Sequence, residues 1–76
     1  MRGFRRGERV RATTEPYKGM IGSVVRLRYA DDCAWVCLEH DPPEDATYFP
    51  KDDNRHRHVL LCPEECEKVT EENLGY

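Results

Sequence analysis

The sequence predicts an all-β fold, a small closed barrel of five short strands with one short helical turn near residues 63–65. Helix-period segments are almost absent, and short runs rich in Val, Leu, Ile and aromatic residues alternate with turn signals. The length, 76 residues, fits one domain with a thin core, since a chain of this size buries only about 60–65% of its unfolded surface. With 38% hydrophobic and 36% charged residues the chain is polar, yet its apolar residues are clustered rather than diluted as in a disordered chain.

The elements follow in order. "ERVRATT" (8–14) sets Val10 and Ala12 on one face and Arg9, Arg11 and Thr13 on the other, the period of a half-buried strand. "EPYKG" (15–19) is a turn. "MIGSVVRLRY" (20–29) is the second strand, with Val25, Leu27 and Tyr29 on one face and Val24, Arg26 and Arg28 on the other; a bulge near Gly22 is expected to re-aim Val24 inward. "ADD" (30–32) is a tight turn, because Asp side chains satisfy local backbone groups. "CAWVCLEH" (33–40) is a strand with apolar residues on both faces, Ala34, Val36 and Leu38 against Cys33, Trp35 and Cys37, so it is central or covered from outside.

"DPPEDATYFPKDDN" (41–54) holds three prolines and five acids, which exclude a central strand or a helix. It is a long loop in which "ATYF" is expected to make a short edge pairing. "RHRHVLLC" (55–62) is the fourth strand, with His56 and His58 on one face, Arg55 and Arg57 on the other, and "RHRH" forming a solvated edge. "PEE" (63–65) is the helical turn and "CEKV" (66–69) the last strand. Residues 1–6 are expected to be a flexible N-terminus, 7–69 the barrel and 70–76 a tail.

Residues 7–27, "GERVRATTEPYKGMIGSVVRL", resemble the KOW motif: a Gly-acidic-x-Val start, a strand, a Pro-aromatic-Lys-Gly turn, then Gly-x-Val into the next strand. The motif occurs in bacterial transcription elongation factors and certain large-subunit ribosomal proteins, all built as SH3-like barrels. "VLLCPEECEKV" is similar to the closing strand, helical turn and strand of such barrels. Together the two stretches span 32 of the 76 residues. It implies a five-stranded SH3-like barrel, and it implies an RNA or protein contact at Tyr17, Lys18 and Gly19.

Charge is unevenly placed. Residues 1–29 hold eight Lys or Arg against two acids, and residues 30–76 four against thirteen, giving +6 and −9 within a net −3. Each pole is a contact surface in waiting. Two readings follow. In the preferred one a non-enzymatic module, a small regulatory adaptor or inhibitor, docks a protein partner through Trp35, Tyr48 and Phe49, with Glu44 and Asp45 of the acidic loop orienting it. The alternative is an RNA- or DNA-binding module in which Arg9, Arg11, Lys18, Arg26 and Arg28 take phosphates and Tyr17 stacks on a base. Net acidity opposes the alternative, because phosphate binding draws its affinity from released counterions. A protein partner belonging to a nucleic-acid-associated complex is compatible with both.

Four cysteines and three histidines raise the question of a metal. Along one strand Cys33 and Cys37 stand about 13 Å apart, whereas ligands of one tetrahedral ion bring their sulfurs within about 4 Å. The same separation excludes a Cys33–Cys37 disulfide. Cys62 and Cys66 are instead expected in core positions, where reduced Cys behaves as a small hydrophobe. No metal, no cofactor and no catalytic residue is assigned: no phosphate-cradling loop, nucleophile elbow or positioned Cys/His pair is present in the sequence pattern. No stretch has the length of a signal peptide's apolar region or a membrane span. The expectation is a cytoplasmic monomer with reduced cysteines and no membrane association.

Overall fold

The computed structural model describes residues 3–70. It contains five strands, β1 (Arg9–Ala12), β2 (Ile21–Arg28), β3 (Cys33–Leu38), β4 (His58–Leu61) and β5 (Cys66–Lys68), with 3-10 turns at Glu44–Ala46 and Pro63–Glu65. All five form one antiparallel sheet in the order β4-β3-β2-β1-β5. The first four make a meander, and β5 returns to pair with β1, Ala12 opposite Cys66.

One face of this sheet converges on a single core. Val10 and Ala12 of β1, Val24 of β2, Ala34, Val36 and Leu38 of β3, Val59 and Leu61 of β4 and Cys66 of β5 are all buried in one cluster, with Tyr17 beside them. A single sheet encloses its own inner face only by curling, which gives the barrel-like form. Each fully buried Val or Leu contributes about 1.5–3 kcal/mol. Phe4, Met20, Leu27 and Ala46 pack around the margin.

Gly22 on β2 faces Leu38 on β3, and a Cβ built there would stand 2.5 Å from the Cys37 carbonyl oxygen and 2.7 Å from a Val36 methyl. Only glycine allows that approach. The bulge lies further along the strand, at Val25, where the register shifts between Val24–Val36 and Arg26–Trp35. Its effect is to keep Val24 inward before the shift and Leu27 opposite buried Ala34 after it. Tyr29, expected on a face with Leu27, is 82% exposed beyond the end of β2.

Turns obey the local chemistry of their residues. Gly19 has φ +88°, and its N–H bonds the Ala12 carbonyl at 2.8 Å, closing the turn that precedes β2. Asp31 accepts from the Cys33 N–H through Oδ1 at 3.3 Å. The Pro63–Glu65 turn is capped by Glu65, whose Oε1 accepts from the Cys62 N–H at 2.9 Å.

Three further expectations are corrected. "ATYF" forms no edge pairing; Glu44–Ala46 is a 3-10 turn and Tyr48 and Phe49 lie in a bend. "RHRH" is not extended before His58, because Asp53 captures the local backbone: its Oδ1 accepts from the Arg55 N–H at 2.8 Å and its carbonyl from the His56 N–H at 3.1 Å. The cysteines are not all reduced. Cys33 and Cys62 form a disulfide with a Cα–Cα separation of 4.2 Å, while Cys37 and Cys66 are free. The pairing follows from register, since Ala34 opposes Leu61 and the next pair outward is Cys33 and Cys62. Cys66 is in the core as expected, but Cys62 is held in the bridge.

Candidate docking face

Alternation along β3 sends Ala34, Val36 and Leu38 into the core and leaves Trp35 on the outer face of the sheet. Its cross-strand neighbours there are Arg26 on β2 and Leu60 on β4. The segment between β3 and β4 returns over this face. Tyr48 stands edge-on to Trp35 with ring centroids 5.4 Å apart, and Phe49 is tilted against it at 5.7 Å. Such aromatic pairs add about 0.5–1.5 kcal/mol beyond the area they bury. The outer apolar residues of β3 are therefore covered in part by this segment, and Tyr48 remains 50% exposed.

Cations border the cluster. The Arg55 guanidinium lies 4.3 Å from the Phe49 ring centre, held by two bonds to the Asp53 carboxylate, Nε at 3.2 Å and Nη2 at 3.1 Å. His58 meets Phe49 edge-on at 6.5 Å. Val25, Arg26, Trp35, Phe49, Arg55 and His58 line a groove of about 260 Å³.

Glu44 and Asp45 are exposed on the adjoining 3-10 turn and line no part of that groove. Glu44 instead borders a second cleft of about 270 Å³ with Asp41, Pro42, Thr47, Lys51 and His56. There Asp41 accepts from Arg57 Nε at 2.8 Å and meets His56 Nε2 at 2.9 Å. The bond from Arg57, then that from His56, hold the Asp41 carboxyl below the ordinary carboxylate range. The other nitrogen of His56 lies 2.9 Å from the Asp53 carbonyl. The ring thus bridges two oxygen acceptors, and no hydroxyl or thiol is bonded to it.

Of the residues of the alternative reading, Arg9 and Arg11 on β1 and Arg26 and Arg28 on the neighbouring β2 share the outer face of the sheet, but Tyr17 does not join them. Tyr17 is 6% exposed, packed in the core, and its hydroxyl donates to the Ala46 carbonyl. A ring so placed presents no stacking face. Burial, with the charges of Tyr48, Glu65 and Asp45 adding to it, pushes its pKa up to about 12. Arg9 pairs with Glu39 at 2.6 Å, Arg11 with Glu67 and Arg28 with Asp31. Three cations of the basic first half are thus each paired with an acid of the second half. Among the described residues no acid pairs with Arg26, which is exposed beside Trp35, or with Lys18 on its turn.

The groove itself was missed by sequence reasoning, which named the aromatic residues but set acids around them. Arg55 and His58 reach Phe49 only because Asp53 folds "RHRH" back into a turn. Among the described residues no cluster of three or more His, Cys, Asp or Glu has the disposition of a metal site, and no helix is long and apolar enough to cross a membrane.

No family model matches the chain, and no curated protein matches it in sequence. A solved structure does: a chain in the crystal structure of the MjSpt4:Spt5 complex, conformation B, superposes with a TM-score of 0.63 over 92% of this chain and 40% of that one, at 18% identity. The likeness is one of fold and agrees with the five-stranded SH3-like barrel expected from the sequence. This chain spans less than half the length of the one it matches.

Proposed function

We propose that the domain is a non-enzymatic binding module, a small regulatory adaptor or inhibitor that docks a protein partner through Trp35, Tyr48 and Phe49. The observation that carries this reading is the aromatic cluster itself: three rings gathered on the outer face of the sheet, where the core gains nothing from Tyr48 left half in solvent. Aromatic anchors in a preformed patch supply most of the energy of a typical interface. Glu44 and Asp45, exposed on the adjoining turn, orient the partner from outside the groove.

A nucleic-acid role through the first hairpin has weaker support. Arg9, Arg11 and Arg28 are engaged by acids, and Tyr17 is buried. A catalytic role also has little to rest on. The thiol of Cys66 is pushed up to about 11 by burial and by Glu65 and Glu64, which suppresses the thiolate a nucleophile needs, and the His56–Asp41 pair points its free nitrogen at a carbonyl.

Salt titration with mixed RNA and DNA probes tests the choice. The reading expects no binding that is both steeply salt-dependent and abolished by Arg26→Ala with Arg28→Ala, and it expects a protein retained from the source cell that survives nuclease treatment. Salt-sensitive binding of either nucleic acid lost in that double variant would reverse the preference.

A further inference from the structure

We propose that the groove beside Trp35 receives an acidic peptide segment, one aromatic or large aliphatic side chain seated among Trp35, Phe49 and Val25 with flanking carboxylates on Arg26 and Arg55. This rests on the protein-docking reading and specifies the chemistry of the partner.

Size is the first argument. A groove of about 260 Å³ falls below the roughly 300–1,000 Å³ of small-molecule sites and suits a single anchoring side chain. Charge is the second. The ionisable side chains that line it are Arg26, Arg55 and His58, with no carboxylate among them, on a chain whose net charge is −3. Arg26 differs from the arginines nearby: Arg9, Arg11, Arg28 and Arg57 each hold an acid, and Arg26 holds none among the described residues. Arg55 is fixed by Asp53 through Nε and Nη2 while lying over Phe49, so its remaining N–H donors are preorganised at the rim. A cationic border penalises a lysine- or arginine-bearing segment and favours a carboxylate.

Nucleic acid would also bring negative charge, but the geometry suits it less. Tyr48 and Phe49 already stand against Trp35 at 5.4 and 5.7 Å, leaving a slot rather than a platform for successive bases. Two guanidiniums, one already shared with Asp53, neutralise too few phosphates for counterion release to outweigh the acidity of the domain.

Trp35 is the only tryptophan in the chain, so its fluorescence reports on the groove. Three probes are titrated into the folded domain: a blocked peptide with one Phe among Asp and Glu, the same peptide with Lys and Arg in their place, and oligothymidylate. The acidic peptide is expected to change Trp35 emission, to weaken as salt rises, and to lose affinity about fivefold or more in Arg26→Gln. Tighter binding of the basic peptide would overturn the acidic assignment while leaving protein docking intact. A nucleotide response lost in Arg26→Gln would overturn it in favour of nucleic acid. Indifference of the acidic peptide to both Arg26→Gln and Arg55→Gln, or silence from all three probes, would also overturn it; docking as such is judged separately, by whether Tyr48→Ser with Phe49→Ser abolishes capture of a cellular protein.

Discussion

The Tyr17 hydroxyl donates to the Ala46 carbonyl, tying the turn before β2 to the segment that lays Tyr48 and Phe49 over Trp35. The residue that looked like a stacking surface is thus a pin beneath the proposed docking face. Tyr17→Phe keeps the ring in the core and removes the bond, so a loss of about 0.5–1.5 kcal/mol at neutral pH is expected by urea unfolding. The pH dependence has a definite sign. Tyr17 titrates at about 12 in the fold, above its ordinary value near 10, and Cys66 at about 11, above about 9. Both favour the neutral form, so their contributions are full below the unfolded values and are lost as pH rises through the folded ones. Stability should fall between about pH 9 and 12, less steeply in Tyr17→Phe. An alkaline limb identical in wild type and variant would contradict this.

Gly22→Ala places a methyl 2.5 Å from the Cys37 carbonyl oxygen, which is backbone and does not move aside cheaply. A destabilisation of about 1–3 kcal/mol is expected as a lower urea midpoint with an unchanged slope. A neutral substitution would show that β2 and β3 are further apart than described.

Much of the barrel was legible because it depends on short-range patterns. Val10 and Ala12 alternate with charged neighbours, and Pro63 followed by two glutamates announces the turn before β5. The two-faced apolar pattern of 33–38 correctly implied an outer cover. What covers it was less legible, since the return of Tyr48 and Phe49 is set by tertiary packing and not by their own sequence period. The bulge at Val25 rather than Gly22, the pairing of Cys33 with Cys62 and that of Arg11 with Glu67 all depend on strand register, which no local run of residues specifies.

Cys33 and Cys62 are 29 positions apart in sequence, and closing a loop of that size restricts the unfolded chain by about 3.6 kcal/mol. Thiol titration of the denatured, unreduced protein should find Cys37 and Cys66 reactive and Cys33 and Cys62 silent. Reduction should lower the urea midpoint of wild type but not of a Cys33→Ser, Cys62→Ser variant. Four reactive thiols without reductant would contradict the bridge.

On the acid side, Asp31, Asp41 and Asp53 are held below the ordinary carboxylate range, chiefly by bonds from Arg28, Arg57 and Arg55 respectively. Their contribution is present above about pH 4 and is lost as pH falls through the lowered values. The pairs are exposed, apart from the half-buried Asp53 carboxylate, so the effect is small and screened. Tm measured from neutral to acid pH should decline more at low salt than at high salt, and less in Asp41→Asn than in wild type. A salt-independent decline would assign acid sensitivity to other groups.

We propose that the outer face around Trp35 meets a protein. The direct measurement is the ¹⁵N–¹H spectrum of the labelled domain with a partner captured from its source cell. Perturbations should concentrate on the Trp35 indole N–H and the amides of Arg26, Tyr48, Phe49 and His58, and the complex should fail to form with Tyr48→Ser and Phe49→Ser. Perturbations centred instead on Arg9, Arg11 and Lys18, with the Trp35 signal unmoved, would contradict it.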